Sequence, residues 1–306
     1  MKLPWGLFLG FILHCPALLR AETFRVATYN LENYLDQPTA TRPQAKSPEA
    51  KARIRESLRA LKPDVLALQE IGSLSALTEL RASLKTEGLD FPHWELVTGF
   101  DTNIHVAVLS RFPFTARRPH TNEAFLLSGR RFRVSRGFAE VDVKVSPHYS
   151  FTLITAHLKS RRPAAHADES EQRLEEAKVL RKIIEANFTA NPRANLIVLG
   201  DLNDTHNSPP IKTVIGRGKT KLVDARPAER NGDNLPHSNP AYAPRHVTWT
   251  HHFGVEDTYS RIDYILFSPG MAREWKANGT YVLTIPNWGL GSDHRPLVAE
   301  FEVSEK

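Results

Sequence analysis

Asn195-Leu196-Ile197-Val198-Leu199-Gly200-Asp201-Leu202-Asn203 is the stretch on which the reading of this chain turns. Its aliphatic run is too short for a helix, and Gly200 ends it, so it predicts a strand over 195–199. Just beyond stand a carboxylate, Asp201, and an amide, Asn203. Polar side chains at the end of a strand are carried on a rigid mount, and such positions are where sites are built.

The same pattern recurs on both sides. Apolar runs rich in Val, Ile, Leu and aromatics predict strands over 24–28, 64–68, 105–109, 139–145, 150–156, 262–267 and 297–303. The first leads to Asn30, the second to Glu70 and the fifth to His157. Asp263 opens the sixth, and Asp293-His294 precede the last. Helical spacing predicts helices over 48–61, 74–85 and 168–187, the last laced with Glu/Arg/Lys pairs suited to an exposed face. The mixed order and the absence of a long linker give a single α/β domain over 22–306.

Taken singly these residues say little. Asn30 can be a turn residue, Glu70 a helix-start acid, Asp201 an Asx turn and Asp293 an N-cap. Together they carry a resemblance. The stretches Ala27-Thr28-Tyr29-Asn30-Leu31-Glu32-Asn33, Leu68-Gln69-Glu70, Val108-Leu109-Ser110-Arg111, Thr155-Ala156-His157-Leu158-Lys159-Ser160, Gly200-Asp201-Leu202-Asn203, Ser260-Arg261-Ile262-Asp263-Tyr264 and Gly291-Ser292-Asp293-His294-Arg295-Pro296 resemble, in order, the motifs of the endonuclease/exonuclease/phosphatase superfamily, the DNase I-like group. The Gly200–Asn203 and Ser292–Pro296 pieces are the most specific, and no core catalytic position departs from the pattern.

The resemblance implies a four-layer α/β sandwich, two mixed β-sheets packed face to face with helices outside, with the active site at one rim. It implies a metal-dependent hydrolase of phosphoester bonds. Glu70, with Asn30 and Asp293, looks like the site of a divalent ion, Mg²⁺ with Mn²⁺ or Ca²⁺ as alternatives, since such hard ions prefer oxygen ligands. Asp201 resembles the group that orients or deprotonates the attacking water, and Asn203 the amide that holds phosphoryl oxygens. His294 would neutralise a non-bridging oxygen while Asp263 fixes its tautomer. His157 stands where DNase I-like members place a histidine that assists the leaving group. Arg111 and Arg136 are candidates for substrate phosphates, against salt links or packing as the plainer role.

Two substrate classes share these residues: nucleic acid, for a nuclease, and small or lipid-borne phosphoesters such as inositol phosphates or sphingomyelin-like headgroups. A non-catalytic domain of the same fold is a third reading, disfavoured because the set of acids and histidines is intact. Trp249 and Trp288 can stack bases, touch lipid or pack. The sequons at Asn187 and Asn278 are open to glycosylation, whereas the one at Asn203 is set aside because a glycan there would block the site.

Composition adds a compartment. Met1-Lys2, the apolar stretch Trp5 to Leu13 and Leu19-Arg20-Ala21 have the order of a signal peptide cleaved after Ala21, too short to cross a bilayer. A secreted or periplasmic enzyme without a transmembrane anchor is expected, and lipidation of Cys15 is a minor alternative. Removing residues 1–21 leaves 38 basic and 34 acidic residues, a net charge of +4, and no cysteine, so no disulfide braces the fold. Seven arginines against Glu123 alone between Arg111 and Arg136 predict a local anion-attracting patch. Nothing implies a stable protein partner.

Overall fold

Successive side chains of a strand point to opposite faces, and here both faces are covered. The computed structural model describes residues 22–303 except 165, 232–237 and 240–245; the stretch read as a signal peptide lies outside the described residues. The strands are β1 (Glu22–Tyr34), β2 (Val65–Ile71), β3 (His93–Val97), β4 (His105–Ser110), β5 (Phe114–His120), β6 (Ala124–Leu127), β7 (Arg130–Arg133), β8 (Phe138–Ser146), β9 (Tyr149–His157), β10 (Leu196–Asp201), β11 (Val223–Asp224), β12 (Ala228–Glu229), β13 (His251–Phe253), β14 (Thr258–Ser260), β15 (Asp263–Phe267), β16 (Trp275–Val282) and β17 (Leu297–Val303). The helices are α1 (Pro48–Leu61), α2 (Leu74–Thr86), α3 (Glu169–Ala190) and α4 (Pro209–Ile215).

One sheet runs β12-β16-β17-β1-β2-β4-β3 and the other β11-β15-β10-β9-β8-β5. Both are mixed: β1 and β2 are parallel, as are β9 and β10, while β17, β4, β8 and β15 run antiparallel to their neighbours. Phe24, Val26, Val65, Ala67 and Phe301 of the first sheet share a core with Val141, Leu153, Ile197, Leu199 and Phe267 of the second. The alternate residues Ala27, Tyr29, Leu66 and Leu68 pack under Ile54, Leu58, Leu77 and Leu80 of α1 and α2. On the other side Ile154, Val198 and Leu266 meet Leu180, Ile184 and Val214 of α3 and α4. Helix, sheet, sheet, helix is the four-layer DNase I-like arrangement.

The helix ends follow from local chemistry. Ser47 caps α1 by accepting from Ala50 N, with Pro48 in the first turn, and Ser73 caps α2 in the same way. Several elements escaped the sequence reading: the edge strands, the two small hairpins, the inner strand β16, the short α4, and the extension of the second strand past Leu68 to Ile71. Glu70 therefore sits inside a strand. Its register slips between Gln69 and Ile71, and Glu70 takes φ 60. A glutamate held in the left-handed region is costly, and such strain collects at functional sites.

Gly200 of β10 pairs with Ala156 of β9; its φ is +132, and an added Cβ would lie 2.0 Å from the Ala156 carbonyl oxygen. Gly200→Ala should therefore destabilise the protein by more than about 2 kcal/mol, several degrees of Tm. Thermal denaturation checks this, and an unchanged Tm would mean that the two strands part easily.

Candidate active site

At one end of the sandwich the inward-facing row changes from apolar to polar. Strand alternation carries Phe24 and Val26 on to Thr28 and Asn30, and Phe151 and Leu153 on to Thr155 and His157. Thr28 Oγ1 donates to Gln69 Oε1 and Gln69 Nε2 to Thr155 Oγ1, each at 3.1 Å, so a buried polar bridge links the two sheets. Directly beyond this bridge lie the groups singled out in the sequence.

Asp201 stands at the centre, only 2% exposed. Its Oδ1 accepts the Asn203 backbone N–H at 2.9 Å, and its Oδ2 accepts Asn30 Nδ2 at 3.0 Å. The same Oδ2 lies 3.4 Å from His157 Nε2 and 3.8 Å from His294 Nε2. Burial, and then the charge of Asp263, push the Asp201 carboxyl up to about 7. Asn203, with φ 55, sends its Nδ2 to the Leu158 carbonyl at 2.9 Å.

Asp263 faces Asp201 across the β10–β15 register, and its Oδ2 meets His294 Nδ1 at 2.8 Å. Thr250 Oγ1 donates to that oxygen at 2.7 Å. The His294 backbone is itself fixed: its N–H donates to Ser292 Oγ, which donates to the Asn30 carbonyl. Burial opposes a charge on His294, but Asp263 outweighs it by charge and hydrogen bond. Asp201 and Asp293 add to this, so the imidazole is held well above its ordinary range. His157 is the converse. Burial first, then Arg136 and His294, hold it well below that range, and its Nδ1 is buried without a hydrogen-bond partner.

Glu70 flanks this centre. Its Oε2 accepts the Asn33 N–H at 2.9 Å, and its Oε1 lies 3.4 Å from Asn30 Nδ2 and 3.9 Å from His157 Nε2. Asp293 lies 3.5 Å from His251 and 3.8 Å from His294. Glu70 and Asp293 both act electrostatically on Glu32 and Lys46. This donor set fits a hard divalent cation: several carboxylates crowd one end of the core, and Asp201 is driven up by its own burial and its acidic neighbour, a cost that a bound cation relieves. The ligand atoms of His251, Asp293 and His294, and those of Asp201, Asp263 and His294, lie within 4.8 Å of one another, while Glu70 belongs to neither group. Asn30, expected as a further ligand, turns its nitrogen to Glu70 and Asp201 because its Oδ1 takes the Glu32 N–H at 3.0 Å. In that orientation it positions the two carboxylates.

Arg111 is not part of the site. β4 runs antiparallel to β2 and pairs Ser110 with Val65, so Arg111 lies at the rim opposite Glu70, bound to Asp64 at 2.8 Å. The arginine-rich segment divides: Arg130, Arg131 and Arg133 of β7 are exposed, whereas the arginines of β5 are paired with acids. Arg117 pairs with Glu95, and Arg118 with Glu140 and Asp142. Arg136 is near the site, its Nη1 donating to the Leu158 carbonyl at 3.2 Å. Trp249 packs against Trp288, with ring centroids 5.5 Å apart, and against the Arg295 guanidinium. Thr250, Ser292, Glu32, Arg42 and Asp101 escaped the sequence reading. Only Glu32 and Ser292 carried a signal, by standing inside recognised motifs.

A family model described as the Endonuclease/Exonuclease/phosphatase family matches residues 27–294. No curated protein matches the chain. Among solved structures it is similar to sphingomyelinase C from Streptomyces griseocarneus, at 20% identity and TM-score 0.57, over 92% of this chain and 100% of that one. It is similar to truncated Caenorhabditis elegans TDP2, at 15% identity and TM-score 0.59, over 92% and 98%. A Staphylococcus aureus beta-toxin variant with bound magnesium ions matches at 16% identity and TM-score 0.57, over 91% and 99%. At these identities the likeness speaks to the fold.

Proposed function

Because the chain belongs to the endonuclease/exonuclease/phosphatase family, whose members are divalent-metal-dependent phosphoester hydrolases, we propose that it is a nuclease or phosphodiesterase acting on nucleic acid. The observation that carries the chemistry is the buried Asp201 carboxylate, whose Oδ2 lies 3.4 Å from His157 Nε2 and 3.8 Å from His294 Nε2, between two histidines of opposite character.

Asp201 Oδ2 accepts the proton of the attacking water, the task of a general base. His294, kept charged by Asp263, presents Nε2–H to a non-bridging oxygen as charge grows there. His157, kept neutral, is free to exchange a proton on the leaving-group side. Asn30 ties Asp201 to Glu70, so base and metal site move as one body. A divalent ion held by Glu70 and Asp293 would supply further charge neutralisation at the phosphoryl oxygens.

Turnover should vanish in chelator and return with Mg²⁺, Mn²⁺ or Ca²⁺ when residues 22–306 are assayed on nucleic acid, inositol phosphates and sphingomyelin; turnover in chelator would defeat the mechanism. Activity on nucleic acid supports the first reading. A second reading, a lipid-borne phosphoester, is favoured by the exposed Phe253, Val255 and Tyr259 of the β13–β14 hairpin, next to His251. Glu70→Ala should raise the Mg²⁺ concentration for half-maximal activity at least about tenfold, since even outer groups of metal sites cost 10- to 100-fold. Its melting point in chelator should not fall, because the change removes one acid from a like-charged group. An unfolded variant would assign Glu70 a structural role.

We also read residues 1–21 as an export signal, which makes the enzyme secreted or periplasmic. No described helix is long and apolar enough to cross a membrane. N-terminal sequencing of the exported protein should begin at Glu22; Met1 would overturn this.

A further inference from the structure

Outside the cleft, one short hairpin presents an unusual face to solvent. β6 and β7 pair Ala124 with Arg133, Phe125 with Phe132, Leu126 with Arg131 and Leu127 with Arg130. Between them Ser128 and Gly129 take φ 50 and φ 75, the two positive values of a tight turn whose twist matches that of the strands. The hairpin is thus held in one shape. Opposite residues of an antiparallel pair share a face, and the faces alternate. One face turns Phe125 and Phe132 inward, their rings stacked with centroids 5.8 Å apart, onto the core under α3. The other carries Ala124, Leu126, Arg131 and Arg133. Leu126 is 71% exposed, and Arg130, Arg131 and Arg133 are exposed with it. Among the described residues none of these three arginines is paired with an acid.

The same face continues onto α3. Leu126, Arg131, Lys178 and Lys182 line a hollow of about 520 Å³ together with Phe125 and Val179. The acids close by are already engaged, Glu175 by Lys178 at 2.6 Å and Glu123 by His120 at 3.3 Å. An excess of positive charge therefore surrounds an apolar centre. Crowding like charges and leaving a leucine in water both cost free energy, and one kind of partner relieves both. An anionic lipid surface offers phosphates to the cations and an apolar layer to the leucine. A polynucleotide backbone answers the arginines but leaves Leu126 in water.

We infer that the β6–β7 hairpin and the adjoining face of α3 form a docking surface for an anionic lipid bilayer, with Leu126 entering the headgroup layer and the cations around it meeting lipid phosphates. The hairpin is rooted at the catalytic rim: β5 ends at His120, which pairs with Phe138, and Phe138 pairs with Ala156 beside His157. Docking therefore holds the enzyme at a membrane by a surface separate from the cleft. The inference goes beyond the hydrolase reading and does not depend on which phosphoester is cleaved.

The test is flotation of the protein with vesicles of phosphatidylcholine alone and of phosphatidylcholine mixed equally with phosphatidylglycerol. The wild type is compared with the triple variant Arg130→Gln/Arg131→Gln/Arg133→Gln and with Leu126→Ser, and thermal melts check that each is folded. The wild type should bind the anionic vesicles, ignore the neutral ones and be released by salt. A cation close to such a surface strengthens binding roughly fivefold, so the triple variant should bind at least about tenfold more weakly. Leu126→Ser should weaken binding severalfold at every salt concentration, because its share is apolar. Should the triple variant misfold, the salt release and Leu126→Ser decide. Equal binding to both vesicle types, or a triple variant or Leu126→Ser that binds as the wild type does, would overturn the docking surface. So would a wild type that ignores vesicles but binds an oligonucleotide through the three arginines, which would give this face to nucleic acid. None of these outcomes touches the hydrolase reading, which metal-dependent turnover tests by itself.

Discussion

Asp201→Asn should lower kcat by about 10²- to 10⁴-fold, the range expected for a lost general base, and at the same time make the metal-free protein more stable at pH 8. Both effects come from one cause. Burial and Asp263 push the Asp201 carboxyl up to about 7, so the folded chain binds that proton more tightly than the unfolded chain. The wild type therefore loses stability as pH rises from the ordinary carboxylate range through about 7, and above that the loss is complete. Asparagine has no proton to lose and keeps the shape that accepts the Asn203 N–H. In chelator the variant should melt on the order of 2 °C or more above the wild type at pH 8, with the gap closing toward pH 4. Scanning calorimetry across this range reads the difference. A variant less stable at every pH would show that the carboxylate is held for structure.

A variant at once less active and more stable would also explain why the sequence betrayed this site. The apolar runs ending in Asn30, His157 and Asp201 were readable because a strand's period of two is fixed by geometry, so its last inward positions inherit the direction of the core. Asp263 and His294 were readable for the same reason, one opening a strand and the other standing just before one. Strand direction was not readable. Arg111 follows an apolar run as Glu70 does, but β4 is antiparallel to β2, which sends it to the opposite rim. Nothing local distinguishes the two cases, because pairing is decided between distant segments. The bulge that turns Glu70 into the cleft is likewise a matter of register with β4. Arg42 and Asp101 lie in loops with no periodicity to place them. The edge strands and α4 escaped because two to seven residues carry too little pattern to stand out, and the eight-residue β16 because none of its first four residues is buried, which breaks the apolar run.

Asp263→Asn is the sharper test of how charge is held at the phosphoryl group. The substitution keeps size and the reach to Thr250, but takes away the carboxylate that His294 Nδ1 meets at 2.8 Å. His294 is 4% exposed, so burial alone would strip its proton, and Asp263 is the largest influence that keeps it. Without it the imidazole should be neutral at neutral pH, and its Nε2 should no longer carry positive charge toward the substrate. The loss matters most where charge grows, so kcat should fall about 10²-fold or more while KM stays within a few-fold. The direction of the pH effect follows as well. Wild-type His294 stays protonated far above its ordinary range, so the alkaline fall in kcat contributed by this group should move to lower pH in the variant. His294→Ala supplies the control. If the two groups act as one unit, adding Asp263→Asn to His294→Ala should cost little more than His294→Ala alone. Fully additive losses, or an alkaline limb that stays where the wild type has it, would separate Asp263 from His294 and leave the carboxylate a purely structural partner of Thr250.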